Sequence, residues 1–101
     1  MGKIVSGTTA PGATNWQPYN DENVAVFVDV DTSSAQFSTT PLYFTSIGGG
    51  TAQWEAIGVT AIYAPTPTSF RVNLRWVNGG ELTPALANHY QWVINWVGVE
   101  P

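Results

Sequence analysis

The chain has 101 residues, 44% hydrophobic and 13% aromatic, with only 10% charged and a net charge of −4. This length suits one domain with its own core, and the absence of cysteine excludes disulfides and thiolate metal sites. Lys3, Arg71 and Arg75 are the only basic residues, too few for nucleic acid or an anionic membrane surface, and no apolar run of about 18 residues is present to insert in a bilayer.

Period-2 alternation, the mark of half-buried strands, dominates the chain. KIVSG reads as a short strand over 3–7. Trp16 and Tyr19 then precede the polar loop NDEN at 20–23, which holds Asp21. Over 24–31, Val24, Val26, Val28 and Val30 share one face, and Ala25, Phe27, Asp29 and Asp31 the other. The following DVDTSS lacks the glycine and distal glutamate of an EF-hand loop. A β-branched and aromatic strand is expected over 42–48, then a glycine-rich loop carrying Trp54 and Glu55.

The stretch 57–64 also reads as a strand, ended by Pro65 and Pro67, which cannot donate to a ladder. Over 69–77, Phe70, Val72, Leu74 and Trp76 point one way and Arg71, Asn73 and Arg75 the other. The polar stripe is expected to be structural, paired within the sheet or across a subunit interface, with Asp29 and Asp31 as the foremost partners. Asn78-Gly79 signals a turn. Thr83 as N-cap and Pro84 at the first helical position predict one helical turn over 83–88, followed by Asn88, His89 and Tyr90. A last strand over 91–99 places Trp92 and Trp96 on one face and Val93, Val97 and Val99 on the other. Six short strands with one helical turn predict an all-β fold, a six-stranded antiparallel β-sandwich in a single domain, residues 1–101. Apolar residues on both faces of the last strand predict that a second copy covers the outer one.

Catalytic patterns are missing. There is one histidine, no cysteine nucleophile and no Gly-x-Ser-x-Gly elbow, so no enzyme is expected. His89 has no histidine partner at metal-ligand spacing, so neither a metal nor a cofactor is expected.

Three stretches carry a family resemblance. GVTAIYAPTPTSFRV, FSTTPLYFTSIGG and INWVGVE resemble the strand–turn–strand, the entry strand and the final strand of H-type lectins, the snail-agglutinin and discoidin C-terminal type. The resemblance implies a six-stranded sandwich that assembles as a trimer or hexamer. It also implies an extracellular setting and binding of galactose or N-acetylgalactosamine between subunits. The opening MGKIVSGTTAPG has no apolar signal stretch. In the implied site, Asp21 matches the family's acidic residue and Trp76 its tryptophan. Val77 stands where the family has histidine, and Ile57 falls near its arginine.

A sugar's C–H face asks for an aromatic surface and its hydroxyls for carboxylates and amides. Candidate ligand-binding residues are therefore Asp21, Trp54, Glu55, Trp76, Asn78, Asn88, His89 and Tyr90. The functional expectation is a multivalent module for a neutral carbohydrate. The alternative is a structural or oligomerisation domain that has lost the sugar site.

Overall fold

The computed structural model describes residues 2–101. Its strands are β1 (Lys3–Thr8), β2 (Gln17–Pro18), β3 (Ala25–Asp31), β4 (Leu42–Gly48), β5 (Ala56–Ile57), β6 (Ser69–Trp76) and β7 (Val93–Glu100). A single α-helix, α1 (Pro84–His89), and two 3-10 turns, Ser33–Ala35 and Gln53–Glu55, complete the regular structure of the described residues. The fold is all-β, with two antiparallel sheets: three strands in the order β1-β7-β4 and four in the order β2-β3-β6-β5. Among the described residues no helix is long and apolar enough to cross a membrane.

Alternation decides which face each strand buries. Val26, Val28 and Val30 of β3 lie opposite Leu74, Val72 and Phe70 of β6, and all six are buried. They share one core with Tyr43 of β4 and Ile94 and Trp96 of β7. Across the two sheets, Tyr43 meets Phe70 at 4.5 Å between ring centroids, and Trp96 meets Phe70 edge-on at 6.5 Å. Each such side chain contributes roughly 1.5–3 kcal/mol by leaving water, so burial, not the exposed Arg71–Asp29 pair, holds the fold together. Close packing also dictates Gly98, where a Cβ would come within 2.6 Å of the Phe37 ring.

Polar atoms inside this core are satisfied pairwise. The Tyr43 hydroxyl donates to the Thr66 carbonyl at 2.7 Å and meets the Thr32 hydroxyl at 2.8 Å. Thr66 in turn organises the 65–68 reversal, its Oγ1 accepting from the Ser69 and Thr68 amides. The Glu100 carboxylate accepts from the amides and hydroxyls of Ser38 and Thr39 and clamps the loop before β4 onto the end of β7.

The six-strand expectation needs correction in two places. The stretch 57–64 is not a continuous strand: β5 stops at Ile57, a turn follows, and only an isolated bridge between Tyr63 and Arg71 rejoins the sheet. The turn begins at Gly58, whose φ of 104 is one that L side chains rarely adopt and whose approach to the Asn73 carbonyl leaves no room for a Cβ. The chain therefore peels off β6 there, and Val59 and Ile62 pack on the core from a turn. The two-residue β2 was not expected; it pairs with the edge of β3 through Gln17 and Pro18, and the Tyr19 amide continues the contact by donating to the Ala25 carbonyl at 3.0 Å. The other five strands fall where alternation placed them, to within a few residues.

The outer face of the three-stranded sheet is apolar at one end. Rows Ile4–Val99–Leu42 and Ser6–Val97–Phe44 lie side by side across the sheet. Ile4, Leu42 and Phe44 are 72%, 62% and 57% exposed. The next row, Thr8–Asn95–Ser46, is polar and hydrogen-bonded within itself.

Candidate functional site

The candidate site forms where β6 runs out. Trp76 ends the apolar face of that strand, so its indole has the core on one side only. It packs edge-on against Trp92 at 5.0 Å and Tyr90 at 5.7 Å, and its Nε1 donates to the Glu81 carbonyl at 2.8 Å. The chain then turns through Val77 to Gly80. Gly79 takes φ 77, and the Asn78 carboxamide oxygen accepts from the Gly80 amide at 2.8 Å. On the other side, the 3-10 turn Gln53–Glu55 is tied in by the Val77 amide, which donates to the Glu55 carbonyl at 2.9 Å. Helix α1 delivers Tyr90; its N-cap is Thr83, whose hydroxyl accepts from the Leu86 amide.

These segments enclose a depression of about 300 Å³ lined by Ala52, Glu55, Trp76, Asn78, Gly80 and Tyr90. Four of the residues singled out from sequence, Glu55, Trp76, Asn78 and Tyr90, thus come together, though they are drawn from separate parts of the chain. A tryptophan, a tyrosine, a glutamate and an asparagine line one small hollow. Its rim holds Ala52 at φ 67, a left-handed conformation that costs an alanine roughly 1–2 kcal/mol.

The remaining candidates lie elsewhere. Trp54 is 85% exposed and does not line the depression, although the adjacent Glu55 does. His89 is exposed and stacks edge-on with Tyr90 at 5.6 Å. Asn88 is turned inward, its carboxamide accepting from the Thr14 amide and donating to the Thr14 carbonyl, both at 3.0 Å. Asp21 is exposed in the turn before β3 and is not among the lining residues. That turn reaches the far side of the site through Asn23, whose carbonyl accepts from the Leu82 amide at 2.7 Å.

Of the polar stripe on β6, Arg71 is engaged as expected. It grips Asp29 through two hydrogen bonds, of 2.7 and 2.9 Å, and lies 4.1 Å over the Phe27 ring. The Arg71 hydrogen bond holds the Asp29 carboxyl below its ordinary range. Asp31 instead caps Ser33, whose hydroxyl and amide hold its carboxyl low. Asn73 and Arg75 are not paired within the sheet: register sets them opposite Phe27 and Ala25, and neither side chain has a hydrogen-bond or ion-pair partner among the described residues, which leaves only the subunit-interface half of the expectation for them. Together with Tyr19 and Tyr63 they are site candidates that alternation alone did not single out.

No family model, curated protein or solved structure matches this chain.

Proposed function

We propose that the chain is a carbohydrate-binding, lectin-like module that acts as a homo-oligomer, most simply a trimer, and takes a neutral sugar of the galactose or N-acetylgalactosamine type at the Trp76 depression. The observation that carries this reading is the convergence of Glu55, Trp76, Asn78 and Tyr90 on one hollow of about 300 Å³. Rings for a C–H face sit there beside acceptors and donors for hydroxyls, the two things sugar recognition needs. The finer architecture belongs to the same proposal: the two sheets form a sandwich of the H-type lectin kind, with the edge segment 56–63 standing for its fourth strand.

Asp21 completes the site from a neighbouring copy. It does not line the hollow of its own chain. The apolar outer face of the three-stranded sheet supplies a reason for copies to associate, since contiguous exposed apolar patches are uncommon on monomers. With Val77 and Ile57 in place of the family's histidine and arginine, affinity per site should be on the order of millimolar, about 4 kcal/mol. Linked sites would amplify that by roughly 10²–10⁴.

The same apolar face favours a second reading, an oligomerisation domain without a sugar site. Isothermal titration with galactose, N-acetylgalactosamine, glucose and mannose separates the two, using wild type, Trp76→Ala and Asp21→Ala, each checked for intact assembly. Weak binding by wild type that both substitutions reduce supports the lectin reading. Equal binding by all three proteins removes this site, and silence with every sugar, multivalent forms included, leaves the oligomerisation domain.

A further inference from the structure

The opposite face of β6 bears a larger recess. Directly opposed residues of antiparallel strands share a face. The register therefore sets Ala25, Arg75 and Ile57 in one outer row, Phe27 and Asn73 in the next, and Asp29, Arg71 and Tyr63 in the third. Tyr19 joins the first row, its amide donating to the Ala25 carbonyl at 3.0 Å. Because the chain leaves the sheet after Ile57 and returns only at Tyr63, Asn73 has no paired strand residue on the β5 side, although Gly58 lies against its carbonyl. Two depressions, of about 420 and 720 Å³, lie over this gap and share Tyr19, Tyr63 and Asn73. These volumes fall in the range of small-molecule sites.

The chemistry of the recess is unbalanced in a way that specifies a ligand. Tyr19 and Tyr63 are each about half exposed, and both line the two depressions. On the floor, the Asn73 carboxamide oxygen is shut off from water with no hydrogen-bond partner, an unfavourable condition for a polar atom. Rotation of that amide toward a hydroxyl in the recess would end the deficit. Arg75 is exposed and lacks an ion-pair partner among the described residues, although acids outnumber bases seven to three. Arg71, the other cation of this face, is paired with Asp29 through two hydrogen bonds and lies over the Phe27 ring. The open charge of the recess is thus a guanidinium, whose planar fork matches a carboxylate.

We propose that this recess binds a saccharide bearing a carboxylate, of the uronic acid type. The carboxylate sits on Arg75, a ring hydroxyl on Asn73, and the sugar's C–H faces against Tyr19 and Tyr63. The site is separate from the Trp76 depression and does not depend on the reading given for it.

The experiment is a titration of ¹⁵N-labelled protein with trigalacturonate, its methyl ester and triglutamate, repeated on Arg75→Gln. Trigalacturonate is expected to shift the Asn73 side-chain amide and the Arg75 Nε–H, to leave the Trp76 indole N–H in place, and to bind at least tenfold more tightly than its ester. Arg75→Gln should erase that preference with no change in melting temperature, because the side chain it replaces is exposed and unpartnered. Equal binding of acid and ester overturns the proposal, as does an unaltered preference in Arg75→Gln. Triglutamate binding as tightly as trigalacturonate overturns the saccharide assignment. Shifts confined to the Trp76 indole, or none at all, also overturn it.

Discussion

Asn88 and Trp54 show how differently a polar and an aromatic loop residue can be used. Both were attractive from sequence because they flank aromatic or acidic neighbours. Asn88 spends its amide on both backbone groups of Thr14, 74 positions away in the chain. Asn88→Ala leaves those two groups short of partners, so it should lower stability by about 1–3 kcal/mol in urea unfolding. Trp54→Ala removes a side chain that is 85% exposed, and its unfolding midpoint should match wild type within about 0.5 kcal/mol. Strong destabilisation by Trp54→Ala would mean that the indole is packed and not open to solvent. Trp76 is the intermediate case, half in the core cluster and half on the rim of the depression, which is why alternation could find it but not say how much of it a ligand would meet.

Strands whose two faces differ sharply in polarity were readable from sequence: β3, β6 and β7 fall where alternation put them, as does the Thr83-capped helix. The segment after Gly58 was not, because Val59, Ile62 and Tyr63 have strand-forming side chains whichever backbone they adopt. Only the collision between a Cβ at position 58 and the Asn73 carbonyl shows that a glycine turn was needed. The recess beside Asn73 was hidden for the same reason, since it exists where a strand was expected. Four of the six residues that line the Trp76 hollow were legible because loop aromatics, acids and amides stand out; what brings them together is tertiary and was not.

The Glu100 clamp offers a test at this scale. Hydrogen bonds from the Thr39 amide and from Ser38 hold its carboxyl below the ordinary glutamate value of 4.5. In the window between the lowered and the ordinary value, the unfolded chain binds more protons, so stability rises with pH. This contribution is complete above the ordinary value and is lost as pH falls through the lowered one. Asp29 and Asp31, also held low, act in the same direction. Melting temperatures of wild type and Glu100→Gln between about pH 3 and 7 should therefore differ most at neutral pH and converge in acid. Parallel curves would show that the clamp does not depend on its charge.

For the whole molecule, function turns on whether copies associate and whether the Trp76 hollow takes a sugar. The outer rows Ile4–Val99–Leu42 and Ser6–Val97–Phe44 are the face offered for association. Val97→Asp places a charge at the middle of that face, where burial would be costly. Light scattering should then show an oligomer for wild type and a monomer for the variant. A wild type that stays monomeric at micromolar concentration excludes self-association through this face.

The five tryptophans provide the most direct probe of the site. Trp16 and Trp92 are buried with their indole N–H groups bonded to the Trp92 and Thr51 carbonyls, Trp96 is in the core, Trp54 is open to solvent, and Trp76 lines the hollow. Titrating labelled wild type with galactose while following the indole N–H resonances gives one signal for each. Binding at the hollow should produce a saturable shift of Trp76 with Trp16, Trp92 and Trp96 unmoved. A shift of Trp54 alone, or five unmoved signals with a multivalent galactoside as well, would contradict it.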